Sequence, residues 1–141
     1  MRRFGLAAII LCILLAGMGV QWVRAQQGHG LGSGMLTPLV KMDLTDVPNK
    51  QVIANIYDVP SGAVVPRHFH HGDEFHFVLS GEWIAEVQGK PDHLMKAGDS
   101  QLVERELWHG GKVVSTTPLK LLGVMIVDKD KSVVEIVEMT K

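Results

Sequence analysis

The chain has 141 residues, 46% of them hydrophobic and 21% charged, with a formal net charge of −1. That length accommodates one domain able to bury a core of its own. No run of lysine or arginine supplies the electrostatic footprint of nucleic-acid binding, so that class of function is set aside.

Met1-Arg2-Arg3 is a short basic segment, Phe4 to Val20 carries no charge, and Val23-Arg24-Ala25 offers small residues at a cleavage spacing. This layout predicts a secretory signal peptide over residues 1–25 and a secreted or periplasmic product. An uncleaved anchor is the alternative, but spanning a bilayer takes about 20 apolar residues and this run is shorter. Arg2-Arg3 resembles a twin-arginine signal, yet Phe4-Gly5-Leu6 fits that pattern poorly, which favours general secretion. The single cysteine, Cys12, lies inside the apolar run, so a mature chain from Gln26 can form no disulfide. Cleavage also removes Arg2, Arg3 and Arg24, leaving 11 basic against 15 acidic residues and a net charge of about −4.

Residues 26–35, containing "QQGHGLGSG", are rich in glycine and poor in apolar side chains. They read as a flexible leader, with His29 solvated. From residue 36 to 141 the chain shows short alternating or apolar runs separated by turn signals, and no long helical period. The runs are "QVIANIYDV", "EFHFVLS", "EWIAEVQ", "HLMKA", "KVVS", "LKLLGVMIV" and "SVVEIVEM". Strands recurring at this spacing predict a single all-β domain, a sandwich or barrel.

Four of the seven histidines fall in "RHFHHGDEFHFVLSG", Arg67 to Gly81. Alternate residues of a strand share a face, so His68 and His70 point together, with Phe69 opposite. Glu74 follows across the His71-Gly72-Asp73 turn, which Gly72 allows to be tight. If the two strands are antiparallel neighbours, two imidazoles and one carboxylate converge, a facial donor set typical of a divalent metal and often of non-haem iron. A hydrogen-bonded polar cluster is the alternative.

Gly62, His68, His70, Glu74 and Gly81 fit G(X)5HXH(X)3E(X)6G without a mismatch. The segment resembles the first motif of the cupin superfamily, whose members are small β-barrels of jelly-roll, or double-stranded β-helix, type. The second motif of that family, G(X)5PXG(X)2H(X)3N, is matched in "GDSQLVERELWHGGKV" by Gly98 and His109. It departs at Glu104 for proline, Glu106 for glycine and Val113 for asparagine. A single motif pair is similar to a monocupin. The resemblance implies that His68, His70, Glu74 and His109 bind one divalent metal per chain. Fe(II) or Mn(II) ranks first, with nickel, copper and zinc also compatible with the donors.

By strand parity His76 shares the face of Glu74 but lies about 7 Å further along the strand. It is either a histidine satisfied by a buried hydrogen bond, a partner in proton transfer beside the metal, or a fifth ligand. His71 opposes the site and is expected at the surface, as is His93. Trp83, Ala85 and Val87 floor the barrel if they face inward, Trp83 more as core than as substrate platform. Tyr57 reads as strand packing or a catalytic acid. Arg67 points outward or holds an anionic substrate at the barrel mouth.

Two classes of function follow. One is a metal-dependent enzyme on a small molecule, of dioxygenase type first and of lyase or isomerase type next. The other is a non-catalytic module that binds or senses a metal or small ligand with the same barrel. A homodimer is expected, with the apolar stretches "LLGVMIV" and "VVEIVEM" as contact candidates.

Overall fold

The computed structural model describes residues 28, 29 and 32 to 137. The signal peptide expected over residues 1–25 lies outside the described residues. Among the described residues there are eleven strands: β1 (Gly28–His29), β2 (Met35–Asp43), β3 (Lys50–Val59), β4 (Val64–Phe69), β5 (Gly72–Ser80), β6 (Glu82–Val87), β7 (His93–Lys96), β8 (Ser100–Val103), β9 (His109–Val113), β10 (Leu119–Asp128) and β11 (Glu135–Ile136). Among the described residues no helix is long and apolar enough to cross a membrane.

Two antiparallel sheets face each other. One has six strands in the order β1-β2-β3-β10-β5-β8, the other five in the order β11-β4-β9-β6-β7. The fold class read from the strand periodicity and the cupin motifs is the one observed. Within the expected leader, Gly28 and His29 pair with Leu36 and Met35 on the edge of β2. That edge offers unpaired backbone donors and acceptors, and a glycine-rich chain can extend along it. At the other end, the described part of "SVVEIVEM" contains the two-residue β11, paired with Phe69 and His68 of β4.

Between the sheets, alternate residues make two apolar clusters. Val59, Val78, Trp83, Ala85, Met95, Val113, Leu119 and Leu121 form the larger, and Ile53, Met125 and Val127 the smaller. Val113, at the position where the second motif has asparagine, is fully buried in the larger cluster. A different set of buried residues lies on the same inward faces: Gln51, Asn55, His68, His70, Glu74, His76 and His109. The interior is therefore polar where the site sits and apolar beyond it, and its strands read as mixed rather than cleanly alternating.

Candidate metal centre

β4 and β5 are not neighbours in one sheet. β4 pairs with β9 and β11, while β5 pairs with β10 and β8. The condition set by strand parity, that the two strands hydrogen-bond to each other, is not met. The chain instead crosses from one sheet to the other at His70-His71, and the donors meet across the barrel interior. His68 sits directly opposite His109 on the β4–β9 pair. Glu74 approaches from the facing sheet, where it lies opposite Met125 and Val103.

Gly72 serves this crossing in a way the turn reading did not foresee. It has no positive φ; it lies opposite Val127, and a Cβ there would come within 2.0 Å of the Ile126 carbonyl oxygen. The close approach of two backbones excludes a side chain.

His68, His70, Glu74 and His109 are all buried, and their donor atoms lie within 4.8 Å of one another. Three backbone carbonyls set the imidazole tautomers. Nδ1 of His68 donates to Pro66 at 2.7 Å, that of His109 to Leu107 at 3.1 Å, and that of His70 to Val133. Each Nε2 is thereby left with its lone pair directed inward. Around Glu74 Oε2, His109 Nε2 stands at 2.9 Å and His70 Nε2 at 3.0 Å. The latter contact lacks hydrogen-bond geometry, and His70 Nε2 has no other partner.

Lone pairs aimed at a carboxylate repel unless a proton or a cation lies between them, and burial magnifies the cost. Burial, reinforced by His109, pushes His68 down to about 3, so its ring is neutral at ordinary pH. Burial also acts to raise Glu74, but His76, His109 and His70 outweigh it and hold the carboxyl well below its usual range. One charged oxygen donor and three imidazoles with Nε2 turned inward fit a divalent ion such as Fe(II) or Mn(II), and these four residues could hold it. For His70, burial lowers the pKa, yet the Glu74 carboxylate and the Val133 carbonyl prevail and hold it above the ordinary value.

His76 is buried beside this group. Its Nε2 lies 3.0 Å from Glu74 Oε2, closer than the separation along the strand suggests, because both side chains reach inward. Its Nδ1 is buried and has no partner. His71 turns away toward Glu106, at 3.3 Å, and Glu135, and His93 is exposed. Arg67 does not reach the interior; it binds Glu86 at 2.9 Å and its guanidinium lies 4.3 Å over the Trp108 ring.

The cavity against the centre measures about 40 Å³, room for roughly three water-sized centres at 10–15 Å³ each. Tyr57, Val59, Val65, Trp83, Leu119 and Leu121 wall it beside His68, Glu74, His76 and His109. Tyr57, weighed from sequence as packing or acid, is thus a cavity wall, and burial with the nearby Glu74 charge raises its pKa. Gly123 is a site residue that the sequence reading missed. A Cβ there would meet Tyr57 Cε2 at 2.6 Å and Glu74 Oε1 at 3.0 Å. The sequence signal was a lone glycine inside the otherwise apolar run "LLGVMIV", which marks a close approach.

Facing antiparallel sheets closed over a buried trio of histidines and one glutamate define a double-stranded β-helix protein with a metal-type donor set. Residues 55–126 match the cupin domain, and the chain belongs to the cupin family. It is similar to dimethylsulfoniopropionate lyase DddQ of Ruegeria pomeroyi, 28% identical over 97 residues. That match covers 66% of this chain and 48% of the lyase, so the chain spans about half the length of this curated relative. The crystal structure of that lyase superposes with a TM-score of 0.53 at 23% identity, covering 57% of this chain and 41% of the other. A conserved Klebsiella pneumoniae protein with a double-stranded β-helix domain gives 0.61 at 17% identity, covering 82% and 91%. Polyketide cyclase RemF from Streptomyces resistomycificus gives 0.62 at 17% identity, covering 84% and 83%. The structural likenesses carry the fold.

Proposed function

We propose that the protein is a metal-dependent enzyme that moves a proton on a small oxygen-bearing molecule, as a lyase or isomerase does. The observation that carries this reading is the pair of roles around Glu74: inward Nε2 lone pairs on one side, and on the other a buried His76 whose Nδ1 is unspent. A divalent ion held by His68, His70, Glu74 and His109 would supply a Lewis acid for a substrate oxygen. His76 Nε2 stands 3.0 Å from Glu74 Oε2, and a proton carried on that nitrogen would leave the Nδ1 lone pair to accept one from the substrate. The apolar walls exclude bulk water from that transfer.

Elimination is favoured over dioxygen insertion because His76 supplies a base, and because the lyase relative, by its name, acts on dimethylsulfoniopropionate. The reading extends to an exported protein, one metal ion per chain and a homodimer. It is tested on protein purified from the exported fraction, with metal content, oxygen uptake and product formation measured together. Metal-loaded protein should turn over a small carboxylate or carbonyl compound without consuming oxygen, and His76→Phe should keep the metal and lose turnover. Oxygen uptake coupled to turnover would favour the dioxygenase reading. Unchanged turnover in His76→Phe would make His76 a packing residue.

A further inference from the structure

Two residues that wall the cavity, Trp83 and Tyr57, carry hydrogen-bond donors outside the metal-type donor set. Trp83, on β6, is 2% exposed and lines the cavity, and its Nε1 is buried with no hydrogen-bond partner. An indole N–H normally finds a partner when buried, and leaving it unpaired is costly. The ring's orientation follows from Gly111 on β9. A Cβ there would lie 2.9 Å from Cε3 and 3.0 Å from Cζ3, so the benzo edge is wedged against β9. Nε1 sits on the opposite edge of the indole.

From the facing sheet, Tyr57 offers a second donor. Asn55 Nδ2 donates to Tyr57 Oη at 3.4 Å, so the phenolic proton is left to be given elsewhere. The remaining wall is aliphatic, from Val59, Val65, Leu119 and Leu121, and among the described residues no lysine or arginine lines the cavity. We propose that Trp83 Nε1–H and Tyr57 Oη–H form a second anchor for a neutral acceptor oxygen of the ligand. The ligand class is then a short aliphatic molecule with one oxygen group at the metal centre and an ether, carbonyl or hydroxyl oxygen within reach of these two donors. The inference rests on the metal-centre reading for the first of those contacts.

The probes are three isosteric acids: pentanoate, and ethoxyacetate and β-methoxypropionate, in which an ether oxygen replaces one methylene. Binding to metal-loaded protein is followed by calorimetry, with metal content measured on the same samples. At least one ether acid should bind about tenfold more tightly than pentanoate, the difference one hydrogen bond to a buried donor makes. Trp83→Phe and Tyr57→Phe should each shrink that preference to within about threefold while keeping the metal and the pentanoate affinity. Tyr57→Phe deletes a single oxygen and carries the comparison if Trp83→Phe does not fold. Equal binding of all three acids by metal-loaded wild type overturns the second anchor and leaves the metal centre standing. A preference that survives both substitutions overturns it as well.

Discussion

Glu74 Oε2 lies 2.9 Å from His109 Nε2, although the two residues belong to different sheets and stand 35 positions apart. The contact joins the two layers of the barrel at their polar point, so the site and the fold share a linchpin. Removing a donor from a buried, charged group leaves the others uncompensated. Glu74→Gln and His109→Ala should each lower metal content at least tenfold in samples prepared alike, read by elemental analysis. Stripping the wild type with a chelator should lower its melting temperature by on the order of 10 °C, since bound metal adds a few kcal/mol by mass action. A wild type that stays metal-free after reconstitution with iron, manganese, nickel, copper and zinc would sink the metal reading.

Gly123 provides a second handle on Glu74 that removes no donor atom. The added methyl of Gly123→Ala comes 2.6 Å from Tyr57 Cε2, closer than real contacts allow, and a tight 3.0 Å from Glu74 Oε1, so the Tyr57 ring must shift. Overpacking of this kind costs about 1–3 kcal/mol. The expected outcome is a lower urea midpoint together with weakened metal retention. A variant with wild-type metal content and midpoint would show that the floor of the site yields easily.

The left-handed turn before His109 can be tested through Glu106. Where the second cupin motif has glycine, Glu106 adopts φ +62°, a conformation that costs a side-chain-bearing residue roughly 1–2 kcal/mol. Its carboxylate approaches His71 at 3.3 Å and Arg105 at 3.4 Å, exposed contacts that contribute little. Glu106→Gly should therefore raise the urea midpoint, whereas Glu106→Ala, which keeps the strain and loses the contacts, should lower it. Equal midpoints for the two variants would show that the turn stores no strain.

Asp128 closes the end of β10. Arg105 binds its carboxylate at 2.6 Å and Lys50, its cross-strand partner, also binds it; together they hold its pKa below the usual carboxylate range. A group whose folded pKa is depressed contributes stability that is present above its unfolded value, about 3.9, and lost as pH falls through the folded value. Wild type should accordingly exceed Asp128→Asn in urea midpoint from pH 7 down to roughly pH 5, with the gap closing below about pH 4. Metal loss at low pH acts on both proteins and cancels in the comparison. A gap constant down to pH 2 would point to packing instead of charge.

The buried cluster of His68, His70, Glu74 and His109 was legible because the cupin motifs fix the spacing of the residues that form it. His68, His70 and Glu74 fall within seven positions, and alternation along an extended chain leaves few ways to arrange them. What was not legible depends on partners distant in the chain. The carbonyls of Val133 and Leu107 that set the histidine tautomers carry no side-chain signal. Arg67 was open between surface and substrate because nothing local reveals Glu86, 19 positions away. The short strand β8 was not separated from the second motif, since its four residues, Ser100 to Val103, show too little alternation to stand out.

The outer face of the six-stranded sheet yields the last expectation. A sheet with one wet face should alternate apolar-in and polar-out, yet here the outward residues are Val52, Ala54 and Ile56 on β3, Leu122, Val124 and Ile126 on β10, and Phe75 and Phe77 on β5. Val40, Met42, Phe75, Leu102 and Ile126 are exposed on strands of that sheet. The sequence reading offered "LLGVMIV" as a contact strand; β10 lies between β3 and β5, so it has no free edge and contributes only this face. Five strands about 4.8 Å apart and about seven residues long, at about 3.3 Å per residue, give roughly 550 Å² per copy, so two copies bury about 1,100 Å², at the low end of specific interfaces. We propose that a second copy of the chain covers this face, with the Asp58–Lys120 ion pair at its rim. Light scattering at micromolar concentration should give a dimer mass for the wild type and a monomer mass for Phe75→Glu with Ile126→Lys. Both substitutions lie on the face opposite the metal centre, so the variant should keep its metal. A monomeric wild type, or a double variant that still dimerises, would remove this face from the contact.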